Sequence, residues 1–291
     1  MTEMEIVAEQ GEWRGGFEER LLAGYRGAGC SERLARALLE RAVKGIEDWT
    51  LASDGTGWVA VGVADEGGVR VGRIHDLTVP RGRAWAERWC AEQGAERVVV
   101  RLTGGPGAFA DYPVRGQNRI RAVAERPELP PGLTVRRLRE EEYPGWYARE
   151  EAAYIADIVR AGALTPRQAK EKSDRDFAEQ LPQGYLTPGH AFYVLEAGGE
   201  AGNETGGEAV GSGWVKHGFL PGVTFGFSLE VHEEHRGKGY GRAAMAVGEW
   251  AARQGGDEAL MFNVFGGNEV AMGLYDSTGF TVLEEFRSIG L

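Results

Sequence analysis

Only two cysteines, Cys30 and Cys90, occur in 291 residues. That is too few for a disulfide framework, so a reducing compartment and an ordinary hydrophobic core are expected. Long apolar runs are missing as well, which excludes a membrane-spanning helix. The acidic stretch from Met1 to Gln10 has no signal-peptide pattern, and a cytoplasmic protein without a membrane partner is expected. Basic residues do not predominate either: the formal net charge is −11. Neutralising a nucleic-acid backbone needs a basic surface, so nucleic acid is excluded as the main partner, and the acidic balance fits a cationic small molecule better. His232 and His235 flank two glutamates, but no third ligand stands at a recognisable spacing, so no metal site is expected.

What is present suggests two domains of ordinary size. Arg126-Pro127-Glu128-Leu129-Pro130-Pro131-Gly132 places three prolines and a glycine between periodic regions. This is linker chemistry, giving domains at residues 1–126 and 133–291 with residues 127–132 between them. In the second half, patterns predict strands at 133–138, 191–196, 209–217, 223–231, 259–265 and 281–288. Helices are predicted at 140–161, 166–180 and 241–254, with a short one from Asn268. Residues 198–207 read as a mobile loop tip, and the sequon at Asn203 as idle. The first half has a similar order, with helices at 15–25 and 31–44, strands at 58–64 and 69–79, a helix at 83–93 and a strand at 97–102. Gly82-Arg83-Ala84-Trp85-Ala86 parallels Gly241-Arg242-Ala243-Ala244-Met245, and the ends of the two helices match as well, which predicts an internal duplication.

Between strand 223–231 and helix 241–254 lies a loop with Gly237, Gly239 and Gly241 at every second position. Glycines allow close backbone approach, and the unpaired amides at the positive end of a helix suit a diphosphate. The dinucleotide fingerprint does not fit, because Arg242 occupies its third glycine position and no acidic ribose partner ends the next strand at Val264-Phe265. The triphosphate-loop pattern is absent too. In the first half, Val79 passes through Pro80 almost directly into the helix, so this loop is missing there.

The segment Arg236-Gly237-Lys238-Gly239-Tyr240-Gly241 resembles the Arg/Gln-x-x-Gly-x-Gly/Ala signature of the GNAT N-acetyltransferase superfamily. The run Asn263 to Phe280, with Asn268, Ala271, Leu274-Tyr275 and Gly279-Phe280, is similar to its second signature, Asn-x-x-Ala-x-x-Leu-Tyr-x-x-x-Gly-Phe. The resemblance covers roughly residues 133–291. It implies an α/β protein of GNAT fold, a mixed and mostly antiparallel sheet flanked by helices, in two tandem copies of which the first is degenerate. It also implies acetyl-CoA as co-substrate, held by Arg236 to Arg242, by the backbone of Leu229 and Val231, and by Asn268.

Strand 223–231 alternates strictly, placing Val223, Phe225, Phe227, Leu229 and Val231 on a core face and Thr224, Gly226, Ser228 and Glu230 on the other. Glu230 is thereby a candidate general base, since an alkylammonium must lose a proton before its nitrogen can attack a carbonyl. Asn268, Ala271, Met272 and Tyr275 share a helix face, and the resemblance makes Tyr275 the general acid for the departing thiolate. Tyr154, His190 and Ser228 are candidates for the acceptor pocket. The expected activity is transfer of an acetyl group to a small-molecule primary amine by direct attack, in a monomer or homodimer. A peptide or protein N-acetyltransferase and a non-catalytic acyl-CoA-binding module are the alternatives.

Overall fold

The computed structural model describes residues 3–8, 11–125, 129–162, 164–198 and 207–291. Residues 126–128 of the expected linker and 199–206 of the expected loop tip, with the sequon, lie outside the described residues. The first half contains β1 (Glu5–Val7), α1 (Gly11–Gly27), α2 (Glu32–Ala42), β2 (Thr50–Ser53), β3 (Trp58–Glu66), β4 (Val69–Leu77), α3 (Gly82–Glu92), β5 (Arg97–Leu102) and β6 (Val114–Ala122). The second contains β7 (Leu133–Arg137), α4 (Tyr143–Arg160), α5 (Pro166–Gln180), β8 (His190–Ala197), β9 (Glu208–Leu220), β10 (Val223–Val231), α6 (Tyr240–Gln254), β11 (Ala259–Phe265), α7 (Glu269–Ser277) and β12 (Thr281–Gly290). Up to the strand after the third helix, the order strand, two helices, three strands, helix, strand occurs twice.

By packing, the chain divides into two units: Met1–Gln117 with Val282–Leu291, and Asn118–Thr281. Strands in the first run β1-β2-β3-β4-β5-β12, and in the second β6-β11-β10-β9-β8-β7. Each unit has one parallel ladder four pairs long among antiparallel neighbours. In the first it joins β4 to β5, from Val71–Arg97 to Ile74–Val100. In the second it joins β10 to β11, from Val223–Ala259 to Gly226–Phe262. Immediately after the last pair each inner strand carries an irregularity against its antiparallel partner: β4 skips His75 between Ile74 and Asp76, and β10 skips Phe227 between Gly226 and Ser228. Shared order, shared ladder length and a bulge at one shared position make the two halves copies of one fold.

Local chemistry accounts for the helices that frame the second unit. Thr165 caps α5, its hydroxyl accepting from the Gln168 amide while the Gln168 side chain accepts from the Thr165 amide at 3.0 Å, and Pro166 opens the first turn. One face of this unit's sheet is covered by α4 and α5 through Trp146, Phe177, Phe192 and Trp214. The other face is covered by α6 through Ala243, Ala244 and Val247, packed with Leu195, Val210 and Leu229.

One expectation is corrected, and three strands had not been predicted. Strand β10 does not alternate strictly: Phe227 stays against Phe225, with ring centroids 4.9 Å apart, and packs with the Trp146–Trp214 cluster, whereas Leu229 packs under α6, so the bulge turns Leu229 away from the face that Phe225 and Phe227 share. Strands β1, β2 and β6 carried no usable pattern. The first two have three and four residues, and β6 is polar along its length, with Arg119 buried through an ion pair to Asp276 at 2.5 Å.

Gly226 closes the parallel ladder where a β-carbon would lie 1.9 Å from Cε1 of the buried Phe262. The variant Gly226→Ala is expected to lose about 1–3 kcal/mol through overpacking. The midpoint of urea unfolding against the parent measures this, and an unchanged midpoint would refute the close approach.

Candidate active site

Past Gly226–Phe262, no register pair joins β10 to β11 among the described residues, so residues 227–231 and 263–265 leave the ladder. On its other edge β10 stays paired with β9 through Ser228–Trp214, Leu229–Gly213, Glu230–Ser212 and Val231–Gly211. The Glu230 carbonyl points to that paired edge, since a β-carbon on Gly211 would meet it at 2.3 Å. Successive carbonyls along a strand point to opposite edges, so those of Leu229 and Val231 face the open side. The Val231 carbonyl accepts from Arg236 Nε at 3.1 Å.

The strand leads into the glycine loop. Gly237 and Gly239 have φ of +75° and +90°, a region costly for residues with a β-carbon, and nothing lies within 4 Å of a β-carbon built on either. Gly239 is the N-cap of α6 and offers no side-chain acceptor, whereas α2, α5 and α7 are capped by Ser31, Thr165 and Asn268. The first amides of α6 therefore open onto an exposed loop carrying Arg236 and Lys238, an arrangement that suits an anion. Arg242 is also exposed, and Tyr240 packs edge-on to His235.

Glu230 is half-buried, and its carboxylate stands 3.5 Å from the Arg236 guanidinium. The Tyr275 ring packs between Phe262 and Phe280. Burial raises the phenol's pKa above its ordinary range, partly offset by Arg119, so it keeps its proton at neutral pH. The Asn268 side-chain carbonyl accepts from the Ala271 amide at 3.1 Å and caps α7.

The three acceptor-pocket candidates differ in their surroundings. The Tyr154 hydroxyl donates to Asp176 at 2.5 Å, tying α4 to α5. His190 accepts from the Trp214 indole at 2.8 Å and stacks on Phe227, and burial, with Lys216, lowers its pKa to about 4, so it is neutral. Ser228 lies on the α4 side with its hydroxyl buried and without a hydrogen-bond partner.

Sequence reasoning missed Glu150. It lies on α4 one turn after Trp146, is 5% exposed, and burial raises its carboxyl pKa to about 7. The hydroxyls of Ser228 and Ser212 favour its ionised form, and the charge on Glu230 opposes it. Although those hydroxyls act on the carboxyl, none of Glu150 Oε1, Ser212 Oγ and Ser228 Oγ closes a hydrogen bond of normal geometry. The signal was present: a glutamate sits in the apolar i, i+4 stripe of Trp146, Tyr154 and Ile158.

Residues 161–280 match the model of the Acetyltransferase (GNAT) family. A Bacillus subtilis protein named uncharacterized N-acetyltransferase YycN is 32% identical over 147 residues, which cover 49% of this chain and 88% of that protein. The chain belongs to the GNAT acetyltransferase family. A mycothiol acetyltransferase of Streptomyces bingchenggensis is 29% identical over 62% of this chain and 49% of its own length. The solved GCN5-related N-acetyltransferase of Sphaerobacter thermophilus shares the fold, with a TM-score of 0.52 and 17% identity over 92% of this chain and 89% of that one.

Within a GNAT frame, the first unit keeps the four-pair ladder and the bulge but lacks the loop and the buried carboxyl that accompany them in the second. Its helix α3 starts hard against the strands, since a β-carbon on Gly82 would lie 2.3 Å from Val59. The Gly82 and Arg83 amides are satisfied by the carbonyls of Val79 and Pro80. Trp13 and Phe17 on α1 repeat the spacing of Trp146 and Glu150, so an aromatic ring stacked on Trp13 fills the place of the buried carboxyl. Asp76, which follows the bulge as Ser228 does, is held by the Trp13 indole at 2.8 Å and by Arg20. Between β5 and β6 stands only a three-residue 3-10 turn, Gly107–Phe109, where α7 stands between β11 and β12.

The Glu150 pKa fixes the sign of a stability effect. The folded protein keeps this proton between the ordinary carboxyl value of 4.5 and about 7, where the unfolded chain has released it. Its contribution is therefore retained at low pH and lost as pH rises through that window. Glu150→Gln cannot ionise and is expected to be about 3 kcal/mol more stable than the parent above pH 7, and no more stable near pH 4. Chemical unfolding at the two pH values tests it, and an equal gain at both would refute the shift.

Proposed function

We propose that the protein is an N-acetyltransferase that moves the acetyl group of acetyl-CoA to the primary amine of a small molecule by direct attack. The observation that carries this reading is the divergence of β10 from β11 beside the uncapped start of α6. It provides open strand carbonyls, free helix amides and two ionisable side chains, Glu230 and Tyr275, within one unit. The fit to the co-substrate rests on the same features: a loop with empty space over Gly237 and Gly239 and no side-chain cap, which would accept a diphosphate. Arg236, Lys238 and the amides of Gly239 to Arg242 would hold that group, and the open edge at Leu229 and Val231 would pair with the extended arm as an added strand does.

Bound acetyl-CoA would supply a thioester carbonyl. Glu230 would take the proton that frees the amine lone pair, and Tyr275, kept protonated by burial, would hold a proton at its hydroxyl for the leaving sulfur. Neither cysteine lies in the site: Cys30 and Cys90 are buried in the first unit and burial raises both thiols to about 11, which does not suit a thiolate nucleophile. Relatives named mycothiol acetyltransferase support a small-molecule acceptor.

Release of free thiol from acetyl-CoA with a panel of primary amines tests the reading. Tyr275→Phe and Glu230→Gln are each expected to lower kcat by about 10²–10⁴-fold while leaving the Kd of acetyl-CoA within a few-fold. Binding of acetyl-CoA without turnover of any amine or peptide would leave only a binding module, and turnover of peptides alone would move the acceptor class.

A further inference from the structure

Glu150 is a buried acid that the roles above do not use. It stands on α4 one turn beyond Trp146, whose ring meets Trp214 of β9 edge-on at 5.7 Å. Ser212 is two residues before Trp214 and so shares its face of β9. Ser212 is also the register partner of Glu230, and Ser228 and Glu230, two apart and past the bulge, share one face of β10. Three elements thus bring Glu150, Ser212, Ser228 and Glu230 together on the α4 side of the sheet. Each of the first three ends in a buried oxygen without a partner, Oε1 of Glu150 and the two serine hydroxyls. Orphaned polar atoms in one cluster are costly and call for an occupant or an exchanging proton. The groups facing the Glu150 carboxyl are Arg149 from its own helix, the Ser212 hydroxyl from β9, and the Ser228 hydroxyl and Glu230 carboxylate from β10.

We infer that Glu150 is a positioning residue that stores the proton Glu230 removes from the acceptor ammonium, receiving it through the Ser228 hydroxyl. The inference rests on the acyl-transfer reading above. In the step, an N–H bond of the ammonium breaks and its electron pair stays on nitrogen. The proton passes to the Glu230 carboxylate and then to Ser228 Oγ as that hydroxyl gives its own proton to Glu150. Glu230 returns to the carboxylate, Ser228 is unchanged, and Glu150 ends as a neutral acid. No oxidant or further reactant is needed. The step starts from the Glu150 carboxylate, the form present above its pKa of about 7, and burial favours its taking the proton, because the neutral acid is preferred where water is excluded.

The test uses the full chain with 13C-labelled glutamate side chains and, alongside, the pH profile of kcat/KM with an amine from the panel. One glutamate carboxyl is expected to titrate near neutral pH and to disappear in Glu150→Gln. In that variant kcat is expected to fall roughly tenfold, with KM for acetyl-CoA within twofold and the acid limb of the profile shifted to lower pH. Ser228→Ala is expected to lower kcat without removing the titration. Should Glu150→Gln fail to fold, Glu230→Gln serves: the Glu150 titration is expected to move to lower pH once the neighbouring charge is gone. Absence of a near-neutral titration in the parent overturns the inference whatever the turnover. Turnover with an unchanged pH profile in Glu150→Gln overturns it while the acyl-transfer reading stands. Failure of the parent to turn over any amine sinks that reading and this one with it.

Discussion

The departure of β10 from its parallel neighbour is the constraint on which the rest of the second unit depends. Four register pairs hold the strands together, and then the bulge at Phe227 turns β10 away with its other edge still sewn to β9. A backbone that leaves a ladder must find other partners for its polar groups or face solvent or a ligand. Here one carbonyl takes Arg236, and the open edge lies directly before a helix start without a cap. The same bulge resets the side-chain phase, so Leu229 enters the core under α6 while Ser228 and Glu230 turn toward α4.

The first unit shows what this geometry is worth without its ligand groups. It keeps the ladder, the bulge and the helix that follows, which are requirements of the fold. The loop is replaced by a tight turn, and the carboxyl position by an aromatic ring stacked on Trp13. Trp49 stacks on His75 at 3.6 Å, and burial, with Arg73 and Arg101, lowers that histidine's pKa to about 3. Among the described residues this unit leaves one buried side-chain nitrogen, Arg97 Nε, without a partner, whereas in the second unit the buried oxygens of Glu150, Ser212 and Ser228 are unpaired together. Unsatisfied polarity is destabilising, and its clustering around one carboxyl is what distinguishes the second copy from the first.

Much of this was legible along the chain. Helix α5 and strands β10, β11 and β5 fall at the expected residues because capping and period-two patterns are local. The glycine loop and the Asn268–Tyr275 helix face were equally plain, since each is a short segment whose chemistry is complete in itself. Strands β1 and β2 were too short to carry a period, and β6 holds polar residues whose burial depends on partners distant in sequence, as Arg119 depends on Asp276. The bulge in β10 was invisible because it is a mismatch of two strands, and one strand shows no register.

By itself the sequence determined the family resemblance and the loop that suits a diphosphate, and it offered Glu230 and, through the resemblance, Tyr275 as candidates for moving protons. The loop and the two signatures are each legible as short local segments. Only the tertiary structure decided that Ser228 faces α4, that Glu230 stands opposite Ser212, and that Glu150 lies over both. The shifted acidity of a carboxyl reflects the water removed from around it, and that depends on helices and strands far apart in the chain.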